Sequence, residues 1–271
     1  MLYMKKVFLP ALIFLALIAS CKKDDTPASK NLLDKVVSKE GTDSIVTTYS
    51  YDAQNRFASE SANDPVNKET FTMALTRDNN GRVTKITESE ANSTPSSSAT
   101  DFFYLGATEA KLKNGKTFFV TSGVTINDSS AYEYNGSQVT RTNHYWSTTT
   151  VPYTLIEYYV YTYDARGNVT SVKFYQTDTP GSTNYKLLYT VTYTYDDKVN
   201  PIYSKDDALI EYIGNQYVSP NNITSLAFTS TTSPSSNFTA NTTYEYRSDG
   251  RPTKSTTNVA GATSVSTYSY R

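Results

Sequence analysis

The sequence predicts an all-β protein: an antiparallel meander of repeated β-hairpins forming a curved sheet or partly closed barrel, with one short helix near residues 204–213. Three observations carry this. The 271 residues include 41 Thr, 24 Tyr and 11 Phe, and β-branched and aromatic side chains favour strands. A strand–turn–strand unit recurs along the chain. Within its strands, aromatic and hydroxyl side chains alternate. Disordered chains are poor in such residues, so the chain is expected to fold.

The recurring unit begins with a strand ending in Tyr-x-Tyr. Examples are Tyr49-Ser50-Tyr51, Tyr132-Glu133-Tyr134, Tyr161-Thr162-Tyr163, Tyr193-Thr194-Tyr195, Tyr244-Glu245-Tyr246 and Tyr268-Ser269-Tyr270. Turns such as Asp78-Asn79-Asn80-Gly81, Asp164-Ala165-Arg166-Gly167 and Arg247-Ser248-Asp249-Gly250 follow. An Asp in first place bonds the backbone two residues on. A Gly in fourth place supplies the positive φ that a type I turn with a G1 bulge requires. At Asp52-Ala53-Gln54-Asn55 that place falls to Asn, the next most tolerant residue. The return strands also repeat: Arg82-Val83-Thr84-Lys85-Ile86, Asn168-Val169-Thr170-Ser171-Val172 and Asn222-Ile223-Thr224-Ser225-Leu226, with Arg251-Pro252-Thr253-Lys254-Ser255 as a degenerate copy. The spacing is about 24–32 residues where adjacent copies are readable, a repeat-architecture period.

Alternation assigns the faces. Tyr189, Val191, Tyr193 and Tyr195 share one side of their strand, and Leu188, Thr190, Thr192 and Thr194 share the other. One face is aromatic and one is wet, as antiparallel sheets allow. A lipid-facing band needs Leu, Val and Ile rather than Thr, so a conventional membrane barrel is not expected. One unit departs from the pattern. Some twenty residues separate Asp196 from Asn222, with Ser204 as an expected N-cap, Asp206 and Asp207 in a first helical turn, and Gly214 at the end. Ser/Thr/Pro-rich stretches at 91–100, 147–152 and 230–236 read as loops or turns.

The N-terminus carries a targeting signal. Lys5 and Lys6 precede an apolar run from Val7 to Ala19, which as a helix spans about 20 Å, too short to cross a bilayer. It ends Ile18-Ala19-Ser20-Cys21. This resembles the lipobox of bacterial lipoproteins and implies cleavage before Cys21 and its acylation, which anchors the chain in membrane lipid. The next residues, Lys22-Lys23-Asp24-Asp25, are similar to the surface-export signal of Bacteroidota lipoproteins. The expected organisation is a signal peptide over 1–20, a flexible tether over 21–30 and one repeat domain over 31–271. The resemblance implies an outer-membrane location, surface-exposed. Asp43-Ser44-Ile45 resembles the Bacteroidota O-glycosylation sequon, which makes Ser44 a candidate.

The Tyr-Asp turns resemble the YD repeats of Rhs-type proteins over most of residues 45–271. Together with the lipobox and the Asp196–Pro201 segment, the chain resembles a family of uncharacterised Bacteroidota lipoproteins. That resemblance implies a porin-like β fold and no activity.

Few side chains suggest chemistry. Catalytic triads need a base, usually His, and His144 is the only one. It shares a strand face with Trp146, which makes the two a candidate ligand-stacking pair or an ordinary strand position. Asp24/Asp25, Asp196/Asp197 and Asp206/Asp207 read as solvated turns or a helix start rather than paired catalytic acids. Asp78-Asn79-Asn80-Gly81 lacks calcium-loop spacing. One Cys excludes a disulfide framework and multi-Cys metal sites. A net charge of −1 gives no basic nucleic-acid surface. No enzyme, metal, cofactor or nucleic-acid partner is expected. Two functions remain: a lipid-anchored binding or adhesion module for a glycan or protein, and a structural envelope lipoprotein without a small-molecule ligand. Burial of Tyr161, Tyr163, Tyr193 and Tyr195 separates them, since tyrosines buried together are core.

Overall fold

The structure is a computed structural model that describes residues 31–91, 96–121, 124–147, 152–211 and 216–271. Sixteen strands run in chain order. The first eight are β1 (Leu33–Glu40), β2 (Asp43–Tyr51), β3 (Phe57–Asp64), β4 (Glu69–Arg77), β5 (Val83–Ala91), β6 (Ser96–Tyr104), β7 (Leu112–Thr121) and β8 (Val124–Asn135). The rest are β9 (Gln138–Ser147), β10 (Thr154–Tyr163), β11 (Val169–Thr177), β12 (Tyr185–Val199), β13 (Asn221–Ser230), β14 (Phe238–Tyr246), β15 (Pro252–Val259) and β16 (Ala262–Tyr270). Each pairs antiparallel with its sequence neighbours, and β1 pairs with β16, so the meander closes completely into a barrel. The sequence left the sheet open or partly closed. Register shows why it closes: Val36 and Ser38 align with Tyr268 and Ser266 on one side and with Thr47 and Ile45 on the other.

The turns form as the repeat predicts. Asn55, Gly81, Gly167 and Gly250 all have positive φ. The carboxyls of Asp52, Asp78 and Asp164 each accept two backbone N–H groups, two and four residues on. A bulge precedes each of these turns, at Ser50/Tyr51, Thr76/Arg77, Thr162/Tyr163 and Glu245/Tyr246. Gly167 sits at φ 91° with open space around its Cα, so Gly167→Val meets backbone strain alone. A loss of about 1–3 kcal/mol is expected, read as a lower melting temperature.

The aromatic face points inward. Tyr161 and Tyr193 are buried in one core cluster with Val139, Val169 and Leu226, and Tyr163 and Tyr195 pack against it. The Tyr hydroxyls have a repeated role. Those of Tyr104, Tyr163, Tyr195, Tyr244 and Tyr270 donate to the carbonyls of Val83, Val139, Val169, Ile223 and Pro252, each on an earlier return strand. This ring of bonds ties one end of the barrel together and satisfies phenols that burial would otherwise penalise.

The outer face is hydroxyl-rich and charged. Ser50 bonds Ser59, Thr162 bonds Thr170 and Thr194 bonds Thr224. Lys85–Asp101 at 3.4 Å, Arg141–Glu133 at 3.7 Å and a Lys254–Glu245 pair lie on the same surface. Such a wall suits water rather than hydrocarbon.

Two expectations are corrected. The helix near 204–213 reduces to a single 3-10 turn, Asp207–Leu209, entered from Asp206 rather than capped by Ser204. The physical reason is that Ala208, Leu209 and Ile210 are drawn in turn into the barrel interior, leaving no solvent face for a helix. Gly214 lies outside the described residues. The loop read over 91–100 fails at residues 96–100, which belong to β6. Their hydroxyls are tolerated in a strand because the pairing partner β5 carries polar residues opposite, such as Glu88 beside Ser98. Residues 1–30, including Cys21, Lys22, Lys23, Asp24 and Asp25, lie outside the described residues.

Candidate functional site in the barrel lumen

A barrel of sixteen strands is wide enough to leave an aqueous channel. Here the inserted segment between β12 and β13 enters that space. Its ends are tied to each other: Asn200 donates to the carbonyls of Gln216 and Ser219, and the Ser204 amide donates to the Tyr217 carbonyl. Its side chains then reach strands all around the wall, which only a segment inside the lumen can do.

Arg77 on β4 meets Asp206 through two parallel bonds of 2.9 and 2.7 Å. The Tyr134 hydroxyl on β8 donates to Asp207 at 3.0 Å. His144 on β9 lies 3.0 Å from Glu211. The Tyr217 hydroxyl donates to Glu60 on β3 at 2.5 Å, and its ring stacks on Phe57. Leu209 and Tyr217 are fully buried. A cavity of about 90 Å³ remains between the loop and the wall, lined among others by Tyr49, Asn200, Tyr244 and Tyr268.

The electrostatics follow from this enclosure. Burial pushes Glu60 up to about 7 against the opposing Tyr217 bond, and nearby Glu88 adds to it. Burial likewise lifts Asp207 to about 6, with Asp206 contributing. Burial disfavours the His144 cation, but Glu211 and Asp128 outweigh it and hold the pKa well above the ordinary range. His144 thus sits between two acids, Glu211 at one nitrogen and Asp128 at 3.6 Å from the other. It clasps the loop to the wall.

The loop fills the half of the lumen under the Tyr-Asp turns. There the inward residues Leu33, Phe57, Val83, Leu112, Val139 and Val169 are buried. Toward the other rim the inward residues Thr47, Glu88, Thr100, Asp128, Tyr159, Tyr189 and Phe228 keep partial exposure. One wall of this accessible half is a file of rings across β10 to β14. Tyr159, Phe174, Tyr189, Phe228 and Phe238 follow one another at 4.8, 4.8, 5.2 and 5.5 Å, and His144 meets Tyr159 edge-on at 5.5 Å.

His144 and Trp146 both face the lumen, as their shared strand face predicts, paired opposite Ser130 and Asp128 of β8. Within that face His144 is held by the two acids and meets Tyr159 edge-on. Ser44 lies at the start of β2, half-buried and opposite Lys39. Asp196 and Asp197 stay apart, Asp196 binding Asn222 and Tyr246 while Asp197 pairs with Lys198. Among the described residues no cluster of His, Cys, Asp and Glu could hold a metal ion. Sequence reasoning missed Arg77 and Glu60. A signal for Arg77 existed: Leu75-Thr76-Arg77 stands where other units carry a ring-face Tyr, and the break in the repeat marks where the loop docks.

The geometry defines a closed sixteen-stranded meander barrel plugged in one half by its own loop. Its fold is similar to that of a porin-like protein from Bacteroides vulgatus ATCC 8482, with TM-score 0.54 and 13% identity, covering 89% of this chain and 99% of that one. A porin-like protein from Bacteroides uniformis ATCC 8492 gives TM-score 0.49 and 12% identity, over 88% and 96%. No family model and no curated protein matches the chain. The likeness shows the porin-like barrel fold.

Proposed function

We propose that this chain is a lipid-anchored protein of the outer-membrane surface whose barrel stands outside the bilayer and binds glycan ligands in the accessible half of its lumen. The observation that carries the binding reading is the file of rings along that half, of which Tyr159, Tyr189, Phe228 and Phe238 keep partial exposure while Phe174 is buried among them, beside hydroxyl and carboxyl side chains. Rings with polar neighbours suit sugars, which present apolar C–H patches and hydroxyls together. The outer wall of hydroxyls and ion pairs supports a barrel in water. The Cys21 lipobox resemblance then supplies the membrane attachment that the wall does not.

The barrel closes within residues 33–270, so a fragment of residues 26–271 holds every strand. A glycan array on this fragment should give hits that Tyr189→Ala and Phe228→Ala weaken. An array without hits, or hits indifferent to both changes, would favour the structural envelope protein. The burial of the Tyr161, Tyr163, Tyr193 and Tyr195 cluster supports that second reading, because these rings serve the core.

For the anchor, Cys21→Ser should abolish labelling by a palmitate analogue. Replacing Asp24 and Asp25 by Ala should keep the label but protect the protein from protease added to whole cells. Undiminished label on the Cys21 variant would refute the lipobox reading, and equal shaving would refute the export signal.

A further inference from the structure

The accessible half of the lumen has a charge as well as a shape. Glu88 on β5, Asp128 on β8 and Glu157 on β10 all project inward there, along the wall that leads up to the β10 end of the aromatic file. Glu88 accepts from Ser98 at 3.1 Å and Glu157 from Gln176 at 2.9 Å, so both carboxyls are held by neutral donors. Oδ1 of Asp128 is buried without a hydrogen bond, and its nearest cation is His144, which Glu211 also claims. The other candidate cations are engaged elsewhere. Arg77 is bonded to Asp206 in the plugged half, and Lys186, at the rim, pairs with Asp178. The aromatic file adds to the same field, since ring faces carry negative charge density.

We infer that this half-lumen selects saccharides bearing free protonated amines over neutral or acetylated ones; the inference rests on the glycan reading above and names its ligand class. A pyranose ring would lie against Tyr189 and Phe228, and its ammonium groups would face Glu88, Asp128 and Glu157. In a partly desolvated lumen such charge pairing is stronger than at an open surface.

The test is calorimetry on the residue 26–271 fragment with three probes: a glucosamine tetrasaccharide, its fully N-acetylated form and cellotetraose. The amine form is expected to bind tighter than the other two by on the order of tenfold, with that advantage shrinking as salt is raised. The variant carrying Glu88→Gln and Glu157→Gln should lose most of the preference while still melting cooperatively. Equal binding of all three probes overturns the charge selection and leaves the glycan site standing. A preference for the amine that the double variant retains places selection elsewhere and overturns the assignment. Binding by none of the probes removes the lumen site itself.

Discussion

Arg77→Met is expected to cost the barrel about 3–5 kcal/mol, because it strands Asp206 inside the lumen without its partner. Arg77 is 8% exposed and Asp206 20%, and the two share a bidentate contact. Arg77 also donates to the carbonyls of Gly81 and Phe57, so its loss frees backbone acceptors at the first two turns. For a domain of this size the change corresponds to a drop of about 10 °C in melting temperature. The double variant Arg77→Met, Asp206→Leu separates the two contributions: removing both charges should recover part of the loss, since an apolar pair needs no solvation. A single variant that melts within a degree or two of the parent would show that Asp206 finds water or another donor, and that the loop is not keyed to β4.

The repeats made the wall legible. Each Tyr-x-Tyr strand, each Asp-led turn and each return strand is local, and local chemistry decides it: positive φ at Gly167, Asx bonding at Asp164, alternation from Tyr189 to Tyr195. Closure was not legible, because it depends on the pairing of β1 with β16 across the whole chain. The loop was legible as an insertion but not as a plug. Its helix signals at Ser204 and Asp206 are real local preferences, and burial of Leu209 and Ile210 overrides them. Of the candidate ligand residues, the strand pattern put His144 and Trp146 on one face correctly, but that the face is a lumen follows only from the ring of sixteen strands. Glu60 gave no sign of its role, because an acid opposite Met73 in a strand reads as an ordinary exposed position until Tyr217 arrives from 157 residues away.

Glu60 leads to the other large effect. Its carboxyl is 4% exposed and titrates at about 7 in the folded barrel, against an ordinary 4.5. Below pH 4.5 the folded and unfolded chains both hold the proton, and Glu60 is neutral in the balance. Between about 4.5 and 7 the unfolded chain releases it while the native state keeps it, so stability falls as pH rises through this window. Above 7 the loss is complete, about 3 kcal/mol for a shift of this size. Asp207, raised to about 6, acts in the same direction. So does His144, whose paired charge stabilises the barrel fully below its unfolded pKa and is lost as pH climbs through its raised folded value. The turn carboxyls of Asp52, Asp78 and Asp164 are lowered and work oppositely, their contribution fading only at acid pH. The barrel should therefore be most stable near pH 4–5. Glu60→Gln keeps an oxygen for the Tyr217 hydroxyl and removes the titration. The variant is expected to melt with the parent at pH 4.5 and to be more stable by about 3 kcal/mol at pH 8, with thermal melts at the two pH values as the measurement. The same gain at both pH values would assign it to packing rather than to the buried charge. No gain at pH 8 would mean that the Glu60 carboxylate is solvated in the lumen.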